Sequence, residues 1–181
     1  MSDDLGDNAN QGPFWPGEYT YCPMCASGLT DIERAGALRK GCGVCGWVHF
    51  RDPGVGAAVL VRDDSGRVLL VKRGPSASKS GLWCIPAGYV DYGEDVRQAA
   101  ARELFEETGL VAEVGEVVFV RSNFHDPAKL TVGIWFEGRV IEGEPKAGDD
   151  AVDVGWFRLD DLPELAFPTD TELLGRLARE G

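Results

Sequence analysis

The segment from Gly88 to Leu110, GYVDYGEDVRQAAARELFEETGL, limits the possible structures of this chain more than any other stretch. It combines glycines, glutamates and an arginine at wide, regular spacings: Gly88, Glu94, Arg102, Glu103, Glu106, Glu107 and Gly109. Gly93 and Glu94 mark the expected start of a helix, and Gly109 is expected to stop it because glycine accepts the left-handed conformation. Apolar or small residues recur between these ends at helical spacing and predict one buried face: Val96, Ala99, Ala100, Leu104 and Thr108.

Three glutamates of this predicted helix, Glu103, Glu106 and Glu107, lie at i, i+3 and i+4, which predicts a second, acidic face. Like charges this close repel one another, so a bound cation is expected. An all-oxygen ligand set favours Mg²⁺ or Mn²⁺, which neutralise phosphate oxygens and lower the pKa of a bound water. Arg102 precedes Glu106 by four residues and is expected to hold its carboxylate, with Glu94 supporting the cluster from the helix start. The alternative is a solvated acidic surface.

The spacing reads G-x5-E-x7-R-E-U-x-E-E-x-G-U, where U is apolar, and the segment resembles the box of the Nudix hydrolases. The resemblance implies an α/β fold, an α/β/α sandwich with a mixed sheet in which the box forms a loop, helix and loop. It also implies hydrolysis of nucleoside diphosphates linked to another group, with water attacking one phosphorus. By position, Glu103 and Glu107 are the first candidate metal ligands, Glu106 is the third, and the Gly88 carbonyl is a further one.

Four of the five cysteines form two CxxC pairs separated by 16 residues: Cys22, Cys25, Cys42 and Cys45. This arrangement predicts a structural zinc ribbon in which each pair gives two thiolates to one tetrahedral ion. Gly28 and Gly46 follow the pairs and suit the tight turns. A disulfide framework or a redox pair is the alternative, and a cytoplasmic chain disfavours the disulfides.

The remaining cysteine and the two histidines carry weaker signals. Cys84 lies in an apolar stretch, so a buried small side chain is expected, with a nucleophile or fifth ligand as the alternative. His49 is predicted in a strand after the ribbon. His125 falls in a predicted loop and is a candidate substrate contact.

The formal net charge of −12 argues against a long nucleic-acid groove, which needs a basic stripe. No apolar run approaches the ~20 residues that span a bilayer. Residues 1–18 have neither the basic nor the apolar region of a signal peptide, and we interpret them as a flexible tail. A cytoplasmic protein without membrane association is therefore expected, with a small nucleotide as substrate.

Pro and Gly in Arg51–Gly54 divide a predicted ribbon at 19–50 from a predicted Nudix domain at 51–181. Two apolar runs flank Asp63–Gly66 and predict a hairpin. Further strands are expected in 114–124 and 129–141, and a final helix over 162–179. Thr169 or Asp170 is the expected cap of that helix.

Other polar residues near the predicted strand ends are candidates for the site. Lys72 and Arg73 are placed to meet substrate phosphates. An acidic loop holds Asp149, Asp150 and Asp153, and the resemblance implies that such a loop can give a base or an extra ligand. Asp150 is the first choice and Asp153 the second, although Glu103 or Glu106 could equally take the water proton.

Two Nudix subgroups carry a four-cysteine ribbon. The NADH pyrophosphatases have an S-Q-P motif after the box, which is absent from VVFVRSNFHDPAKL here. The second subgroup acts on FAD and ADP-ribose, and both GLWCIPAGYVDYGE and LAFPTDTELL resemble its segments. The resemblance thus favours an FAD or ADP-ribose pyrophosphatase, which would release AMP with FMN or ribose 5-phosphate.

The box is shared by other Nudix proteins, so three alternatives stay open. They are an NADH pyrophosphatase, a nucleoside triphosphate pyrophosphohydrolase and a non-catalytic regulator that senses ADP-ribose. Specificity would depend on aromatic residues that stack a base, for which the candidates are Phe124, Trp135, Phe136 and Phe167. The resemblance also implies a homodimer.

Overall fold

The computed structural model describes residues 19–123 and 129–180. The chain forms two compact units, Met1–Asp52 and Pro53–Gly181, which divide inside the segment where Pro and Gly interrupt the sequence. The predicted tail at 1–18, Phe124 and His125 lie outside the described residues. Within those residues, no helix has the length and apolar character needed to cross a membrane.

In the described part of the first unit, β1 (Thr30–Arg34) and β2 (Ala37–Gly41) form an antiparallel hairpin. Its turn uses Ala35 and Gly36 at φ 51° and 72°. The strand predicted around His49 is reduced to a single bridge between Val48 and Gly41. His49 donates its backbone N–H to the Lys40 carbonyl over 2.8 Å.

The second unit is built from seven strands and two helices among the described residues. They are β3 (Gly54–Val61), β4 (Val68–Arg73), β5 (Trp83–Cys84), β6 (Ala87–Tyr89), α1 (Val96–Thr108), β7 (Val111–Asn123), β8 (Thr131–Glu142), β9 (Ala151–Phe157) and α2 (Pro168–Glu180). A four-stranded sheet has the order β6-β3-β8-β7, and a three-stranded sheet has the order β5-β4-β9. The β3–β8 pair is parallel and the β3–β6 and β7–β8 pairs are antiparallel, which makes the larger sheet mixed.

Strand β3 lies at the centre of the packing because its residues alternate between two cores. Ala57 and Val59 pack with Ala99 and Leu104 of α1 on one face. On the other face, Leu60 packs in a cluster that also holds Leu70 of β4 and Leu173 and Leu174 of α2. Strands with both faces buried are continuous apolar runs, as GVGAAVLV is. The predicted sandwich with a mixed sheet is confirmed.

The predicted hairpin between β3 and β4 is wrong in its pairing, although its turn is present. The Asp63 carboxylate accepts from the N–H groups of Ser65 and Arg67 at 3.0 and 2.9 Å, and Gly66 has φ 74°. Only Arg62 and Val68 then form a bridge. Both edges of β3 are already paired, with β6 and with β8, so β4 joins the other sheet.

The final helix begins at Pro168, later than the sequence predicted. Proline fits the first helical turn and disfavours helix in the residue before it. Asp170, predicted as a cap, is only 3% exposed. Its carboxylate accepts from the Ile85 N–H at 3.1 Å and from the Trp135 indole N–H at 3.2 Å. Asp170, Leu173 and Leu174 lie at i, i+3 and i+4, so they share one face of the helix. In the sequence, this spacing already grouped Asp170 with two apolar residues.

Burial raises the pKa of Asp170 to about 7, although its two N–H partners and the charge of Arg73 lower it. Below pH ~4 the carboxyl is protonated in both folded and unfolded chains. Between pH ~4 and ~7 only the folded chain keeps the proton. The free energy of unfolding therefore falls as the pH rises, by at most about 1.4 kcal/mol for each pH unit.

We therefore expect the stability of the wild type, relative to Asp170→Asn, to fall as pH rises through this window. Urea unfolding of both proteins at several pH values measures the difference. Arg73, whose charge lowers the pKa of Asp170, is unchanged in the variant. A difference that stays constant with pH would contradict the expectation.

Candidate functional site

The ends of α1 are set by local capping. The Asp95 carboxylate accepts from the N–H groups of Arg97 and Gln98 at 2.9 and 3.3 Å. Gly109 ends the helix at φ 69°, and its N–H donates to the Phe105 carbonyl over 2.7 Å. The predicted glycine stop is confirmed, whereas the start lies at Val96, after the predicted Gly93 and Glu94.

Arg102 joins three glutamates at the surface of α1. Its Nε donates to Glu94 at 2.8 Å, and its Nη1 donates to Glu103 at 2.7 Å and to Glu106 at 3.0 Å. Its Nη2 also donates to the Tyr89 carbonyl at 3.1 Å. The hydrogen bond from Arg102 lowers the pKa of Glu94 to about 2. The contact that the sequence spacing predicted between Arg102 and Glu106 is present, and Glu94 reaches the cluster through the arginine.

Glu107 differs from the other glutamates because it is buried, with 3% of its surface exposed. It still lies close enough to Glu103 for the charge of Glu103 to raise its pKa, so the predicted grouping of the two residues is present, while its burial was not predicted. In the sequence, Glu107 follows Ala100 and Leu104 at helical spacing, so it extends the buried face that these two residues define. One carboxylate oxygen accepts from the Ala87 N–H at 3.0 Å.

Burial raises the pKa of Glu107 to about 8, and the charges of Asp150 and Glu103 add to this, against the opposing effects of the Ala87 N–H and Arg73. A buried carboxylate beside two others is costly unless a cation neutralises it. The electrostatics of Glu107 therefore fit a bound metal ion.

Glu103 lies against the backbone of Gly88, so a side chain at this position would force the Glu103 carboxylate into another place. Glycine at the first position of the box thus lets Glu103 keep its bond with Arg102. Burial raises the pKa of Glu103, and Arg102 opposes the shift. The backbone of Gly88 and the Glu103 carboxylate thus lie in direct proximity.

The acidic loop is attached to the end of α1. The N–H groups of Lys146 and Gly148 donate to the carbonyls of Thr108 and Glu107 at 2.8 and 3.1 Å, which satisfies helix-end acceptors. The Asp150 carbonyl accepts from Gly74 at 2.8 Å. The loop is therefore held beside the helix that carries the glutamates.

The three loop aspartates are not equivalent. The charge of Asp150 raises the pKa of Glu107, and that of Asp149 raises the pKa of Glu103. Asp153 pairs with Lys72 in the ladder between β4 and β9, and its carboxylate accepts from the Val154 N–H. Asp149 was named in the sequence analysis without a rank, and its charge is one of those that raise the pKa of Glu103. Its φ of 50° marks the turn that places it there.

Arg73, predicted to meet phosphates, is held by protein groups. Its Nε donates to the Ser78 carbonyl at 2.7 Å, its guanidinium lies 5.2 Å from the Phe167 ring centre, and Asp150 is 3.9 Å away. Cys84 lies 3.8 Å from it and is 2% exposed. The predicted buried side chain of Cys84 is confirmed, and burial raises the pKa of its thiol to about 12.

The aromatic candidates are mostly structural. Trp135 and Phe136 are 5% and 1% exposed and belong to opposite cores. Phe167 packs beside the cluster of Val71 and Cys84. None of these three is shown as a base-stacking surface.

The four paired cysteines come together in the first unit. Their sulfur atoms all lie within 4.8 Å of one another, with 3.5 Å between Cys22 and Cys45 and between Cys25 and Cys42. Four thiolates about 2.3 Å from one ion require such separations. Gly46 has φ 77°, as its turn requires, but in the first pair the left-handed residue is Ala26 at φ 58°, not Gly28.

The comparisons with known proteins agree with this geometry. Residues 52–177 match the NUDIX domain. An ADP-ribose pyrophosphatase of Methanocaldococcus jannaschii is 40% identical over 119 residues, which is 65% of this chain and 69% of that protein. A NUDIX hydrolase structure from Nitrosomonas europaea has a TM-score of 0.78 and 26% identity, covering 90% of this chain and 92% of the other.

A second relative, an NAD-capped RNA hydrolase of Stutzerimonas stutzeri, is 31% identical over 159 residues. The match covers 87% of this chain, which spans only 54% of that protein. From the family match and the fold together, the chain belongs to the NUDIX domain family and is a Nudix hydrolase.

Proposed function

We propose that the protein hydrolyses the diphosphate of a nucleoside diphosphate linked to another group, with FAD or ADP-ribose as substrate. The observation that carries the proposal is the cluster in which buried Glu107 lies beside Glu103, with Arg102 holding Glu103 and Glu106. The relative named as an ADP-ribose pyrophosphatase supports ADP-ribose, and the resemblance of the segments beside the box supports FAD. The products would be AMP with ribose 5-phosphate or FMN.

Glu103, Glu106, Glu107 and the Gly88 carbonyl would hold the divalent ion, Mg²⁺ or Mn²⁺. The bound ion would neutralise the diphosphate and lower the pKa of the attacking water. Arg102 and Glu94 orient the carboxylates, because Arg102 is bonded to Glu94, Glu103 and Glu106. Arg102 also offsets part of the negative charge when the substrate arrives.

We assign the general base to Asp150. Arg102 already occupies one oxygen of Glu103 and of Glu106, whereas the closest described cation to Asp150 is Arg73 at 3.9 Å. Asp150 is also near enough to Glu107 for its charge to raise the pKa of that residue. A carboxylate beside the metal, less engaged by cations, is suited to accept the water proton.

A second candidate is the hydrolysis of NADH or of an NAD cap on RNA. The match to the NAD-capped RNA hydrolase is longer than the second unit, so it extends into the unit with the cysteines. Against this candidate stand the missing S-Q-P motif and the net charge of −12.

We expect selective release of AMP from ADP-ribose or FAD in the presence of Mg²⁺ or Mn²⁺. In Glu107→Gln, kcat should fall by at least about 100-fold, because the ion loses a charged ligand. The test is turnover of ADP-ribose, FAD, NADH, NAD-capped RNA and nucleoside triphosphates. Glu116→Gln, which changes an exposed glutamate of β7, is the matched control.

Each other outcome corrects the proposal. Turnover of NADH or capped RNA alone would favour the second candidate. Pyrophosphate release from triphosphates would indicate nucleotide clearance. Tight ADP-ribose binding with no turnover of any substrate would indicate the sensing regulator.

We also propose that Cys22, Cys25, Cys42 and Cys45 bind one structural Zn²⁺. Their sulfur separations fit a tetrahedral ion, and few residues between 19 and 52 are buried and apolar, so metal would supply much of the folding energy of this part of the chain. Metal-binding thiols are consistent with a reducing, cytoplasmic setting.

We also propose that the protein is a homodimer, and this proposal rests on the resemblance to the Nudix hydrolases.

We expect the purified protein to contain about one zinc ion per chain, and Cys42→Ser to contain almost none, because three thiolates hold zinc far less tightly. Metal analysis after dialysis measures the content. Cys84→Ala is the matched control and should keep its zinc, since Cys84 belongs to the core of the second unit. Equal zinc in wild type and Cys42→Ser would rule out this site.

A further inference from the structure

We propose that Asp170 is a positioning residue for the hydrolytic site: it fixes Ile85–Ala87 so that the Ala87 N–H reaches Glu107. The inference rests on the proposed function only in taking Glu107 as a metal ligand. Asp170 itself does not touch the metal or the substrate in this proposal.

The segment before the box is held bond by bond. The Ile85 N–H donates to Asp170 at 3.1 Å, and the Pro86 carbonyl accepts from the Val59 N–H at 3.1 Å. Ala87 then pairs with Ala58 of β3 and directs its own N–H to the Glu107 carboxylate at 3.0 Å. Proline has no N–H and a fixed φ, so the Asp170 bond is the anchor immediately before it.

The carboxylate of Asp170 is itself rigidly placed. Leu173 and Leu174, one turn further along α2, are fully buried in the core that contains β3 and β4. Trp135 of β8 donates its indole N–H to the second oxygen of Asp170 at 3.2 Å. Asp170 therefore connects α2, the central sheet and the segment before the box.

The segment that leads into α2 makes a second connection to the same strand. The Trp83 N–H donates to the Glu164 carbonyl at 3.0 Å, and the Trp83 carbonyl accepts from Ala166 at 2.7 Å. These bonds hold β5 at Trp83, two residues before Ile85. Loss of Asp170 would therefore remove the bond at Ile85 and loosen Ile85–Ala87, while β3 still pairs with Ala87 and β5 stays docked.

The consequence for the site follows from Glu107. Ala87 is the only described hydrogen-bond donor to its carboxylate, so it determines which oxygen remains for a cation. A buried side chain without this donor would lose its fixed orientation. Removal of Asp170 should thus weaken metal binding at Glu107 without direct contact, through the N–H groups of Ile85 and Ala87.

The first test needs no metal at the glutamates. Amide hydrogen exchange by NMR should show faster exchange at Ile85 and Ala87 in Asp170→Ala, by about tenfold or more relative to the amides of α1. Glu172→Gln is the control, because it changes an exposed carboxylate of the same helix whose described partner is Arg121. Its Ile85 and Ala87 amides should exchange as in the wild type.

The second test is the Mg²⁺ concentration that gives half-maximal turnover. We expect it to rise about tenfold in Asp170→Ala and less than about twofold in Glu172→Gln. If wild type shows no metal-dependent turnover, the proposed function fails, while the exchange experiment still tests the positioning. Asp170→Ala that folds with unchanged exchange and unchanged Mg²⁺ response would overturn the inference.

If Asp170→Ala does not fold, Asp170→Asn replaces it. Asparagine has one acceptor oxygen for two donors, Ile85 and Trp135, so the single variant should need more Mg²⁺. In the Asp170→Asn, Trp135→Phe double variant that oxygen is free for Ile85, and the Mg²⁺ response should return toward wild type. An identical response in the single and double variants would overturn the inference.

Discussion

The hydrogen bonds from Arg102 to Glu94, Glu103 and Glu106 are the interaction on which the site depends. Without them, closely spaced carboxylates on one helix would repel each other and destabilise it. The arginine offsets only part of this charge. Glu107 receives none of its bonds and is buried, with its pKa raised to about 8 by desolvation first of all. The remaining negative charge is what a divalent ion would neutralise.

The fold brings two separate chain segments to this helix. The first is β6, in which Gly88 lies beside the Glu103 carboxylate and Ala87 donates its N–H to Glu107. The loop after β8 is bonded to the last turn of α1 and carries Asp149 and Asp150. Both cores of the sandwich therefore contribute to the position of the site, because α1 packs on one face of β3 and α2 packs on the other.

Features set by neighbouring residues could be predicted from the sequence. The Gly109 helix stop, the contact of Arg102 with Glu106 and the grouping of the four cysteines depend on short spacings, and all are present. The mixed sandwich followed from the resemblance of the box to a known family, which the comparisons confirm.

Features that depend on distant segments could not be predicted in the same way. The hydrogen bond that Glu107 accepts could not be predicted because its donor, the Ala87 N–H, comes from a strand 20 residues earlier. The β3–β4 hairpin failed because β8, far along the chain, takes the edge of β3. Asp170 was taken as a cap because its partners, Ile85 and Trp135, are 85 and 35 residues away.

The most direct test of the central claim is Mn²⁺ binding followed by electron paramagnetic resonance, without substrate. The account predicts that wild type and Glu116→Gln bind Mn²⁺ alike, and that Glu107→Gln binds it at least about tenfold more weakly, because a charged ligand is lost. Equal Mn²⁺ affinity in wild type and Glu107→Gln would show that the buried glutamate does not hold the ion, and would contradict the account.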